Sequence, residues 1–70
     1  MDRINTIRNR VIVLQGLVAR GESPAVILSL ANALEVAIDN LLDTTDDDEQ
    51  LILLAKYAKL VSDLKAKLLN

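Results

Sequence analysis

The chain has 70 residues, 51% of them hydrophobic, and a formal net charge of −2. There is no Cys and no His, which removes disulfides, thiolate chemistry, the commonest zinc ligand and the usual general base. A chain this short is marginal by surface-to-volume scaling and usually needs a staple, and with disulfides and zinc excluded the one that remains is oligomerisation.

The first predicted element is a helix over about 2–20. It carries Ile4, Ile7, Val11, Leu14 and Val18 at steps of three and four, the spacing that places one stripe on one helix face. Gly21 fits the left-handed position that closes such a helix. Ser23 then fits an N-cap, with Pro24 at the first helical position, where its missing N–H costs nothing. The second helix is predicted over 24–43, with a seam of Ile27, Leu30, Leu34, Ala37 or Ile38, and Leu41. The run Asp43-Thr44-Thr45-Asp46-Asp47-Asp48-Glu49 breaks the chain again. Thr45 or Asp46 is the expected cap of a third helix over 46–69, and the acids that follow suit the positive end of its dipole. That helix carries Leu54, Tyr57, Val61, Leu64 and Leu68, with Lys65 assigned to its outer face. Short loops make neighbouring helices antiparallel. The expected fold is all-α: one domain spanning 1–70, a three-helix hairpin or bundle with coiled-coil-like seams, assembling into a larger helical bundle.

The prediction of assembly comes from surplus. Beyond the seams, helix 1 adds Ile12, Val13 and Leu17, helix 2 adds Val26, Leu28, Val36 and Leu42, and helix 3 adds Leu51, Ile52, Leu53 and Leu60. Helix 2 has 13 apolar residues in 20, where a helix with one buried face needs about three in seven. One three-helix unit covers helix 2 on two sides, so its further apolar surface is expected to meet another copy of the chain. Asn32, Gln15 and Asn9 sit among aliphatic neighbours. Amides in a seam fix register or oligomer number, and these three are the candidate specificity residues; amides at the seam edge would instead meet water.

No enzymatic constellation emerges. The acidic run fails as a calcium loop, because Asp48 and Leu54 stand where that motif requires Gly and Glu. The hydroxyl residues have no His partner, and two glycines cannot build a phosphate loop. The chain is read as a non-enzyme with no cofactor, no metal and no small-molecule substrate. The longest apolar run, 51–55, is far short of a membrane span, and no signal-peptide core follows Met1. The location expected is the cytoplasm, with the chain itself as partner.

Two resemblances bear on function. The stretch Leu30-Ala31-Asn32-Ala33-Leu34-Glu35-Val36-Ala37-Ile38-Asp39-Asn40-Leu41-Leu42 resembles the closing part of XRE-type (Cro/C1-like) helix-turn-helix domains, and Arg20-Gly21 with Pro24 is similar to that family's turn. The upstream helices with their T-Q-x-x-L-A pattern are missing. The recognition position would fall on 11–18, too aliphatic to read bases. That resemblance implies a DNA-binding regulator, or its oligomerisation part, with Arg3, Arg8, Arg10 and Arg20 as phosphate contacts. The acidic balance argues against nucleic acid as a partner. The second resemblance is in composition. Matched helix lengths, a Ser-Pro helix start, a glycine stop and nearly aromatic-free aliphatic cores are similar to de novo designed helical bundles. It implies a self-assembling structural protein. An adaptor that takes a partner helix in an apolar groove would share the same surface.

Overall fold

A computed structural model describes residues 3–69. It contains three helices: α1 (Arg3–Ala19), α2 (Pro24–Thr44) and α3 (Asp48–Leu69). All three pack against one another as a three-helix bundle measuring 36 × 23 × 15 Å. The expected start of helix 1 at Asp2 lies outside the described residues.

The breaks follow from local chemistry. Gly21 takes φ 71, a conformation that costs a residue with a Cβ about 1 kcal/mol. Its N–H donates to the Val18 carbonyl (3.1 Å) and the Glu22 N–H donates to the Leu17 carbonyl (3.1 Å). This pair of bonds satisfies carbonyls that the helix end would leave open. Ser23 holds the cap position before Pro24, yet its side chain makes no capping bond. Its backbone carbonyl accepts from Ile27 N–H (3.1 Å), so Ser23 marks the start of α2 through geometry rather than through its hydroxyl.

The second break differs from expectation. Neither Thr45 nor Asp46 caps α3; Asp47 does. Its Oδ1 accepts from Glu49 N–H (2.9 Å) and Gln50 N–H (3.4 Å), and its carbonyl accepts from Leu51 N–H (2.9 Å). The reason lies in α2, which runs on to Thr44, whose hydroxyl donates to the Asn40 and Leu41 carbonyls (3.3 Å each). Thr45 is then extended, and the next residue able to aim a carboxylate at a helix start is Asp47. Asp47→Ala should lower stability by about 1 kcal/mol, read as a shift in the urea midpoint; the same change at Asp46 should shift it by less than half as much.

The core is a single cluster of ten residues: Ile4, Ile7, Val11 and Leu14 of α1, Ile27, Ala31, Leu34 and Ile38 of α2, and Leu54 and Val61 of α3. Val18, Leu41 and Leu64 pack on it half-buried. The α2 seam is corrected at one position. Leu30 is 45% exposed, whereas Ala31 is fully buried. The spacing 27-31-34-38 is as regular as the one starting 27-30-34, and the two differ by a rotation of the helix that spacing alone does not determine. Lys65 is corrected too. It faces α2, where its Nζ lies 3.0 Å from Glu35 Oε1. Both side chains remain partly solvated, so the pair contributes about 1 kcal/mol at most.

By length and composition α2 meets the criterion for a membrane-crossing helix, which the longest uninterrupted apolar run does not foreshadow. Its polar residues stand singly as far as Val36, and only Glu35 and Asp39 are charged between Pro24 and Asn40. In this bundle one face of α2 is buried between α1 and α3, and most of its apolar window stays unburied.

Candidate interaction surface

No residue with a polar side chain is buried among those described, so every polar or charged contact this chain can offer lies at its surface. Asn9, Gln15 and Asn32 are all exposed. They do not meet in the core of the single chain, and there they take the seam-edge arrangement, in which the amides meet water. Asn32 shares its strip of α2 with Asp39 and Asp43, seven and eleven residues on. This strip lies on the far side of the helix from Leu30, because residues two apart in a helix point in nearly opposite directions.

The apolar surplus lies elsewhere. Val26 (48%) and Leu30 (45%) of α2 and Val13 (57%) of α1 are exposed. Val26, Leu30, Ala33 and Ala37 follow one another at steps of four, three and four, so they form a second stripe beside the core seam, offset from it by one residue. Val13 and Arg10 of α1 face Leu30 and Ala33 across a shallow groove floored by Leu14 and Leu34. The groove continues past Ala37, where Arg10, Thr6 and Arg3 line its α1 wall and Asn40 and Thr44 its α2 wall. Arg10 lines both halves, and the second adds Arg3, Thr6, Asn40 and Thr44 to a lining that is still mostly apolar. Val36, Ile52, Leu53 and Ile12 are also exposed, but on other faces.

Sequence reasoning assigned Leu30 to the core and so missed this stripe as a separate feature. The usable signal was the doubled pattern: 26-30-33-37 alongside 27-31-34-38, two heptad-like series side by side on one helix.

The accessible surface is 4849 Å². A folded monomer of 7.7 kDa is expected to expose roughly 4,300 Å². The difference is about 500 Å² of total surface, polar and apolar together.

Among the described residues no group of three or more Asp or Glu is placed to hold a metal ion, and Asp47 of the acidic run is already engaged as a cap. Arg3, Arg8, Arg10 and Arg20 are all exposed but do not share a face. Arg3 and Arg10 border the groove, and Arg8, two residues from Arg10, points away from it. Within 11–18, Val11 and Leu14 belong to the core. No protein family matches the chain, and no curated protein or solved structure shows significant similarity to it.

Proposed function

We propose that this chain is a structural self-assembling unit: a helical bundle that joins copies of itself into a homo-oligomer through coiled-coil-like seams. The observation that carries this reading is the second stripe on α2, Val26-Leu30-Ala33-Ala37, with Val13 across the groove. Burying what Val26 and Leu30 still expose would contribute about 1 kcal/mol for each side chain, and self-association does so with no further component. It also supplies the staple that 70 residues without Cys or His otherwise lack.

An adaptor that binds a partner helix would use the same groove, and a DNA-binding regulator would need its arginines on one face. Concentration dependence of the pure protein separates the first reading from the adaptor, and salt-dependent DNA binding would mark the regulator. For a homo-oligomer, hundredfold dilution of the pure protein should lower the midpoint of thermal unfolding by several degrees, because association draws on the folded state alone. A midpoint that does not move with concentration contradicts the proposal.

A further inference from the structure

The arrangement of charge and side-chain size along the groove indicates which copies meet and how. We infer that two copies pack groove to groove about a two-fold axis, with their α2 helices antiparallel. This inference rests on the self-association reading and adds the interface and its register.

Three observations converge. First, the α2 stripe is graded in size, with Val26 and Leu30 bulky and Ala33 and Ala37 small. An antiparallel pairing lays the bulky half of one copy on the small half of the other, Leu30 over Ala33 and Val26 over Ala37, whereas a parallel pairing stacks bulky on bulky and leaves a gap between the alanines. Second, the groove is graded in charge. Arg10 stands beside Ala33 and Ala37, and Arg3 beside Thr44. Glu22 is exposed at the other end, four residues before Val26. The register that sets Leu30 over Ala33 brings the turn carrying Glu22, just before α2, toward the end of the other copy's groove that Arg10 and Arg3 line. A parallel pairing would instead oppose Arg10 to Arg10. Third, the arrangement closes: a two-fold axis uses the same patch on both copies and leaves neither groove open.

The test is a charge-reversal cycle read by sedimentation equilibrium at low salt. Arg10 and Glu22 are exposed, so each variant should keep the parent's helical circular dichroism. Arg10→Glu and Glu22→Arg should each raise the dimer dissociation constant at least about tenfold, since symmetry counts each contact twice and reversal turns attraction into repulsion. The double variant should return to within about threefold of the parent, and the differences should shrink in about 1 M NaCl. An oligomer indifferent to both single reversals, or weakened equally by the double variant, overturns this interface while leaving self-association standing. A parent that is monomeric throughout overturns both.

Discussion

Leu34→Asp should unfold the bundle. Leu34 is 3% exposed in the middle of α2, within a core of ten residues. The substitution removes apolar burial that costs about 2–5 kcal/mol to lose and puts a carboxylate where no polar side chain is buried to receive it. A domain of this length has roughly 3–10 kcal/mol of stability in total, so the variant should be largely unfolded at 25 °C or melt tens of degrees below the parent. Circular dichroism with temperature reads this directly. A midpoint within a few degrees of the parent would mean that the face of α2 carrying Leu34 does not form the core.

Leu30→Glu is the companion, one turn away, with the opposite signature. Leu30 borders the groove and is 45% exposed, so a glutamate there keeps its charge in water when the chain is alone. The single chain should stay helical and fold cooperatively. The assembly should not survive, because two-fold packing would bury both carboxylates against apolar surface. The dissociation constant should rise by about a hundredfold or more. Unfolding comparable to Leu34→Asp would return Leu30 to the core, whereas an unchanged mass in solution would move the interface off this groove.

The contrast between these neighbours shows what could be read from the sequence and why. Gly21 and Pro24 fixed the first turn because each has one favourable use there, and the bonds of Gly21 and Glu22 to Val18 and Leu17 follow from it. The α1 seam of Ile4, Ile7, Val11 and Leu14 was legible because Arg3, Arg8, Arg10, Asn5 and Asn9 flank it, although Ile12 and Val13 stay exposed on other faces. On α2 two apolar stripes run side by side, so period alone leaves the rotation open, and the preference for the larger residue picked Leu30 where the closely packed bundle buries Ala31. The cap of α3 was ambiguous for a similar reason. Thr45, Asp46 and Asp47 are all able to cap, and the choice was made by how far α2 extends, a property of the packed bundle. The Lys65–Glu35 pair joins residues thirty positions apart, and periodicity within one helix carries no information about it. The exposed apolar surface was legible as a quantity, more than one bundle covers, but its location depended on the rotation of α2.

The central claim is that the stripe beside the core exists to join copies of this chain. Light scattering coupled to size exclusion tests it most directly, on the pure protein over a hundredfold range of concentration. Self-association through the stripe gives a mass of at least two 7.7 kDa chains at the upper concentrations, falling toward one on dilution. A mass of 7.7 kDa at every concentration, with the helical spectrum intact, would contradict it.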